Sequence, residues 1–268
     1  MINFPNAKIN LGLHITSKRT DGYHEIETCM VPIPLFDALE MIPAKKTIFE
    51  SSGLDIPGAE KDNLVLKALK LMRKDFPDLG DVHIHLHKHI PMGAGLGGGS
   101  ADAAFALVLM NKLFDLHLES WFLEEYAAQI GSDCAFFIEN TPKIATGRGE
   151  TLEPVEVDLK DDFLVLIKPP IHIGTKEAYA GVKPKKPDVS LTSILPDKFI
   201  WRDSLRNDFE DSIFPNFPEL AEIKKRLYDN GAYYAAMSGS GSTVFGLFSQ
   251  APPAIKWADG YFVFEVKL

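Results

Sequence analysis

The chain has 268 residues, 46% hydrophobic and 24% charged, with a net charge of −9; that length suits one large domain or two small ones. The absence of a basic block argues against nucleic acid and anionic membrane as partners, and the longest apolar run, Ala103 to Met110, is too short to cross a bilayer. Cys29 and Cys134 have no CxxC spacing, which argues against a disulfide framework or zinc module, and Met1 to Asn6 lacks the basic and apolar regions of a signal peptide, so a cytoplasmic location is expected.

In chain order, Ala7, Ile9 and Leu11 alternate with Lys8 and Asn10 in a strand pattern, and Asp21-Gly22 marks a hairpin turn. A helix is predicted from Asn63 to Phe76, with Asp62 as its candidate cap and Leu64, Ala68, Leu71 and Met72 on its apolar face. Val82 to Leu86 reads as a strand. Its pattern, continued through Ile90, puts His83, His85, His87 and His89 on one face and Ile84, Leu86, Lys88 and Ile90 on the other. The His-x-His spacing could suit zinc, but no matching carboxylate or cysteine follows, so the wet face of an edge strand is expected. After a glycine-rich loop come helices over Ala101 to Phe114 and Ser120 to Ile130, the latter stopped at Gly131. Ala135 to Ile138 and Phe163 to Ile167 read as short buried strands, and Val182 to Asp188 as an exposed loop. A helix over Glu219 to Asn230 precedes a hairpin of Tyr233 to Met237 and Thr243 to Phe248. Strands and helices mix without strict alternation, which gives an α+β class with a boundary near Pro154 to Asp162.

The richest stretch is Pro91-Met-Gly-Ala-Gly-Leu-Gly-Gly-Gly-Ser-Ala-Asp-Ala-Ala104, a glycine loop between a strand and a helix. Glycines let backbone N–H groups turn toward a ligand, and the helix start adds free donors and a positive dipole end. The loop is therefore a phosphate-binding candidate. Gly93, Gly95 and Gly98 satisfy G-x-G-x-x-G, but the dinucleotide motif also wants an acidic residue ending a second strand, and Asp115 closes a helix. Gly99-Ser100 lacks the lysine of a Walker loop. The loop's donors must come from the backbone.

Three motifs, Pro5-Asn-Ala-Lys-Ile-Asn-Leu-Gly-Leu13, the loop Pro91 to Ala104, and Met237-Ser-Gly-Ser-Gly-Ser-Thr-Val-Phe245, together resemble the GHMP kinases, the family of galactose, homoserine and mevalonate kinases. Asn6 to Asn10 followed by Arg19-Thr-Asp-Gly-Tyr-His24, with Ala145-Thr-Gly-Arg-Gly149 and Pro169-Pro-Ile-His-Ile-Gly-Thr175, is most similar to the branch whose acceptor carries cytidine diphosphate. The resemblance implies a two-domain α+β fold with mixed and antiparallel sheets and a nucleotide cleft between domains. An ATP-binding domain would cover 1–155 and a substrate domain 156–268. ATP and Mg²⁺ are the implied cofactors and a small-molecule cytidine-diphosphate compound the implied substrate; nucleic acid and membrane are not expected partners. The chain is expected to act as a monomer or weak homodimer.

The resemblance also implies roles. Lys8 and Asp133 form the catalytic pair, with the Asp133 carboxylate facing the acceptor hydroxyl; read alone, Lys8 would be a solvated strand residue and Asp133 a turn residue. ATP contacts fall to Asn63, Lys88, Pro91, Met92, Gly93, Ala94, Gly95, Leu96, Gly97, Gly98, Gly99 and Ser100, with Ser100 the candidate magnesium contact. Asn63 is either the cap of its helix or an adenine contact. The family often carries glycine at Ala94, and a methyl there requires a negative φ. Substrate contacts fall to Asn10, Tyr23, His24, Thr175 and Tyr179: Tyr23 and Tyr179 as stacking faces for cytosine, His24 at the base edge, and Thr175 one helical turn before Tyr179. Either tyrosine could instead be a partly buried core residue. A different acceptor, such as homoserine, and a non-catalytic sensor are the competing readings; Lys8 and Asp133 together speak against the sensor.

Overall fold

A computed structural model describes residues 1–268. The contacts divide the chain into two compact units. Unit 1 comprises Met1–Lys8, Leu35–Met92 and Gly97–Thr141, and unit 2 comprises Ile9–Pro34, Gly93–Leu96 and Pro142–Leu268. The chain changes unit several times, so a single cut at 155/156 does not coincide with this division. The reason is local: one long strand begins in unit 1 and continues in unit 2, and the glycine loop changes unit twice.

Unit 1 is a sheet covered by helices. The sheet order is β1 (Ile2–Asn3), β4 (Ala38–Pro43), β6 (Val82–Lys88), β5 (Ile48–Gly53), with β6 antiparallel to β4 and parallel to β5. Residues 82, 84, 86 and 88 of β6 are buried, whereas His83 and His85 are half-buried and His87 exposed, as the alternation requires. Four helices belong to this unit: α1 (Leu64–Asp75), α2 (Gly98–Leu113), α3 (Ser120–Ile130) and α4 (Phe136–Glu139). Helix α2 touches α1, α3, α4 and β4. Its buried Ala101, Ala103, Ala104 and Ala106 let neighbouring backbones approach, while Leu107, Leu109 and Met110 fill the remaining space.

Unit 2 holds two four-stranded sheets. One has the order β2 (Asn6–Lys18), β3 (His24–Phe36), β7 (Lys143–Gly147), β8 (Thr151–Pro154); the other is antiparallel, ordered β10 (Tyr234–Met237), β11 (Val244–Phe248), β9 (Phe163–Lys168), β12 (Phe262–Lys267). Helices α5 (Thr175–Ala180), α6 (Leu191–Ile194), α7 (Trp201–Ser204), α8 (Phe209–Ile213) and α9 (Pro218–Asp229) complete it. A single apolar cluster joins Leu13, Ile15 and Ile26 of the first sheet to Val165, Ile167 and Val244 of the second and to Leu220, Ile223 and Leu227 of α9. The α+β class with mixed and antiparallel sheets agrees with the expectation from sequence.

Two local expectations are corrected. Ala135 to Ile138, expected as a strand, lies in a turn leading into the short helix α4; a four-residue apolar run carries no periodicity, and its length alone suggested a strand. The cap of α1 is Asn63, not Asp62: its side-chain Oδ1 accepts from the Val65 N–H at 2.9 Å, while Asp62 ends a preceding 3₁₀ turn. Asn63→Ala should therefore lower stability by about 0.5–2 kcal/mol in urea denaturation, and Asn63→Asp, which keeps the acceptor, by clearly less. Unchanged midpoints for Asn63→Ala would refute the capping role.

Candidate active site

Backbone handedness organises the glycine loop. Gly93, Gly95 and Gly97 have φ of +60°, +76° and +72°, and none of the residues between them has positive φ. Alternation of this kind turns successive N–H groups toward one side, a backbone nest for anions. Ala94 meets the condition set by its methyl group, since its φ is not positive. The loop then runs into α2, whose start has no side-chain cap. The N–H groups of Gly98, Gly99 and Ser100 fall in the first turn, where no intrahelical acceptor exists. Pro91, Ala94, Leu96 and Gly98 are buried, Met92, Gly95, Gly97, Gly99 and Ser100 half-buried and Gly93 exposed.

In unit 1 the loop's end meets the expected catalytic pair. A Cβ at Gly97 would stand 2.9 Å from Phe137 Cζ and 3.1 Å from Lys8 Cγ, so the glycine makes room for the lysine stem. Lys8 is only 3% exposed, and its Nζ lies 3.6 Å from Asp133 Oδ2. Asp133 sits in the turn before α4 and is half-buried. Burial pulls the Lys8 ammonium below the usual lysine range, and the Asp133 carboxylate opposes that pull. A lysine and a carboxylate held this way can orient an incoming hydroxyl and accept its proton.

Lys88 is arranged differently from the expectation. It points to the buried face of β6, where its Nζ donates to Asp37 Oδ2 and, at 2.7 Å, to Asp102 Oδ2. Asp37 is itself pinned by the N–H groups of His89 and Ile90, at 2.6 and 2.9 Å. Lys88 is thus committed to two carboxylates, although it still lines a cavity of about 290 Å³ in unit 1. Phe49, Ile56, Pro57, Leu64 and Met92 give that cavity apolar walls, and Asn63, Gly99 and Asp102 also reach it. Burial, with Asp37 adding to it and Lys88 opposing, pushes the Asp102 carboxyl up to about 7, and its Oδ1 has no hydrogen-bond partner.

Unit 2 contains the other expected residues. Asn10 is buried, donating from Nδ2 to Thr28 Oγ1 at 2.9 Å, and Ser238 Oγ lies 3.5 Å from its Oδ1. Ser238 also donates to the Gly95 carbonyl at 2.9 Å. A Cβ at Gly95 would collide with the Ser238 carbonyl, which explains the glycine independently of ligand. Tyr23 is 57% exposed and carries the Arg148 guanidinium over its ring, 5.1 Å from the centroid. His24 stacks on Tyr179 at 4.8 Å with 16° between planes, and Phe209 meets the same tyrosine edge-on. Burial, then Lys18, holds the His24 imidazole below its ordinary range. The stack takes one face of each ring out of water. Thr175 and Tyr179 do share a face of α5, Thr175 exposed and Tyr179 half-buried.

The histidine face of β6 is the more open one, but β6 is not an edge strand: it pairs with β4 on one side and β5 on the other, because side-chain alternation says nothing of a strand's place in its sheet. On that face His83 Nε2 meets Glu50 at 2.8 Å, and Ser52 meets His85 and His87 at 3.0 and 2.9 Å. No cluster of three or more His, Cys, Asp and Glu side chains is arranged to hold a metal ion. Asp102 lines the cavity, Asp37 holds Lys88 and Arg148 covers Tyr23, and sequence reasoning assigned none of the three a place. Asp102 and Arg148 lay inside motifs already noted, whereas Asp37, a lone aspartate after an apolar run, carried no signal.

The family model of the GHMP kinases N terminal domain matches residues 63–140, and that of the GHMP kinases C terminal domain matches residues 200–257. The chain belongs to the GHMP kinase family, and it is a kinase. A 4-diphosphocytidyl-2-C-methyl-D-erythritol kinase of Bacteroides fragilis is 52% identical over the full length of both chains, and one of Cytophaga hutchinsonii is 53% identical over 94% of each. A crystal structure of 4-(cytidine 5'-diphospho)-2C-methyl-D-erythritol kinase superposes with a TM-score of 0.79 at 33% identity, covering 92% of this chain and 90% of that one. A homoserine kinase from Cytophaga hutchinsonii, at 16% identity and a TM-score of 0.72, shares the fold. No helix is long and apolar enough to cross a membrane.

The Asp37–Lys88–Asp102 cluster makes stability depend on pH. A carboxyl raised to about 7 in the folded chain, against about 3.9 unfolded, contributes stability that is fully present below about pH 4 and lost as pH rises through about 7. Asp102→Asn mimics the protonated acid and removes that loss. In urea titrations the variant should gain steadily on wild type from pH 4 to pH 7 and hold the gain at pH 8. A difference constant across that range would contradict the assignment.

Proposed function

We propose that the chain transfers the γ-phosphoryl group of ATP to the 2-hydroxyl of 4-diphosphocytidyl-2-C-methyl-D-erythritol, giving the 2-phosphate and ADP in non-mevalonate isoprenoid precursor biosynthesis. The observation that carries the reading is the buried Lys8–Asp133 pair at the start of an uncapped, glycine-led helix, in a chain whose full-length relatives bear that enzyme's name. A binding module has no use for a buried lysine aligned with a half-exposed carboxylate.

In this reading Asp133 accepts the proton of the acceptor hydroxyl as it attacks, and Lys8 holds the carboxylate in line and stabilises charge on the transferring group. The acceptor is a tertiary alcohol, so positioning matters more than intrinsic nucleophilicity. The amides of Gly93 to Ser100 serve the phosphates. Asn63, Lys88 and Met92 line the cavity proposed for the nucleoside of ATP, with Lys88 acting there through its stem, because its ammonium is taken by Asp37 and Asp102. Asn10, Tyr23, His24, Thr175 and Tyr179 serve the cytidine-bearing acceptor, so residues 1–155 would supply most nucleotide contacts and 156–268 part of the acceptor site.

Magnesium is proposed as the ion that neutralises phosphate charge during transfer. Such an ion would be held mainly by phosphate oxygens and water. The half-buried Ser100 hydroxyl in the first turn of α2 is the side-chain contact proposed for it. We further propose that the enzyme works in the cytoplasm as a monomer or weak homodimer.

Asp133→Asn should lower kcat by about 10²–10⁴ with little change in KM, since it removes help confined to the transition state. CMP should compete with the acceptor and not with ATP, because the cytidine moiety supplies binding energy remote from the reacting hydroxyl. Steady-state inhibition at varied acceptor and ATP checks both points. Rapid phosphorylation of homoserine with indifference to CMP would overturn the acceptor and leave the kinase.

A further inference from the structure

The motif Pro169–Thr175 contributes Thr175 to the reading above, but its central residue, His172, has no role there. Its surroundings all lie in unit 2. The imidazole rests against the α-carbon of Gly93: a Cβ there would stand 3.0 Å from His172 Cε1 and 3.1 Å from Nδ1. A side chain there would press on the ring, and the φ of +60° independently favours glycine. The chain on either side is fixed, because Ser242 Oγ donates to the Ile171 carbonyl at 2.6 Å and Ile173 is buried. His172 itself is exposed.

The neighbouring loop is held by its carbonyls. Ala94 O accepts from the Thr243 N–H at 3.3 Å, and Gly95 O accepts from Ser238 Oγ at 2.9 Å. No backbone acceptor takes the Gly93 or Ala94 N–H groups. An exposed imidazole on an anchored segment thus stands beside unspent amide donors in a nest-forming backbone. Imidazole N–H and amide N–H groups together suit phosphate oxygens.

We propose that His172 is a further ligand-binding residue of this kinase, its ring N–H donating to a phosphate oxygen of a nucleoside diphosphate group lying against Gly93. The inference rests on the reading of the glycine loop as a phosphate site. The diphosphate belongs either to the phosphoryl donor or to the cytidine-bearing acceptor, and the chemistry at Gly93 is the same for both.

Calorimetric titration of wild type, His172→Ala and His172→Gln with ADP and, separately, with CDP tests the proposal. His172→Ala should weaken one of the two by about 10-fold, the size of one hydrogen bond to a charged group. The nucleotide affected identifies the source, and His172→Gln, which keeps a side-chain N–H, should recover most of the loss. In turnover assays His172→Ala should raise KM for the matching substrate and leave kcat nearly unchanged. Affinities for both nucleotides within twofold of wild type would overturn the proposal. So would equal losses for both that glutamine does not restore, which would mark a structural role. Wild type that binds neither nucleotide would instead remove the phosphate-loop reading itself.

Discussion

Alternating backbone handedness at residues 93–98 is the constraint on which the rest of the site depends. A left-handed residue at every second position can be held only by glycine at low cost, and each intervening residue must then have negative φ. This rhythm explains the composition of the loop better than flexibility does. Ala94 and Leu96 are buried and anchor it, while Gly93, Gly95 and Gly97 bend it. The three glycines also have separate packing reasons, against His172, the Ser238 carbonyl and the Lys8 stem in turn. With backbone amides supplying the donors, the chain can serve anions despite a net charge of −9.

Two buried lysines show how burial divides labour. Lys88 is enclosed with two carboxylates, one of them immobilised by two backbone N–H groups, so its charge is spent inside unit 1. Lys8 Nζ lies 3.6 Å from the Asp133 carboxylate, which is about one-third exposed. A buried ion pair repays its desolvation only with good geometry and further hydrogen bonds. The first lysine has that geometry and reads as architecture. The second has a looser partner open to an incoming group, which suits chemistry.

Much of this was legible in the sequence, for identifiable reasons. Helix α3 was bounded correctly by Ser120 and Gly131, and the period-2 pattern of β6 correctly separated the wet histidines from the buried face. The Lys8–Asp133 pairing was legible only through family resemblance, since nothing local links residues so far apart in sequence. What escaped were facts of tertiary context. The resemblance implied an ATP contact at Lys88, but Asp37, arriving from another strand end, claims its ammonium. Phe136 and Phe137 looked like a buried strand because burial without periodicity does not specify a conformation. The stacking of His24 on Tyr179 depends on α5 approaching the β2–β3 turn, which no spacing encodes.

The interleaved path of the chain bears on how the molecule is made. All segments of unit 1 lie within residues 1–141, so that unit has its full complement before residues 142–268 leave the ribosome. Residues 9–34 are synthesised before most of unit 1 yet belong to unit 2, whose remaining strands come after residue 141. The hairpin of β2 and β3, with apolar Leu13, Ile15 and Ile26, must therefore wait for β9 and β11 before its core partners exist. During that interval an early-made, apolar hairpin is the segment most exposed to wrong partners, and its long edge strand is the feature a chaperone would need to shield.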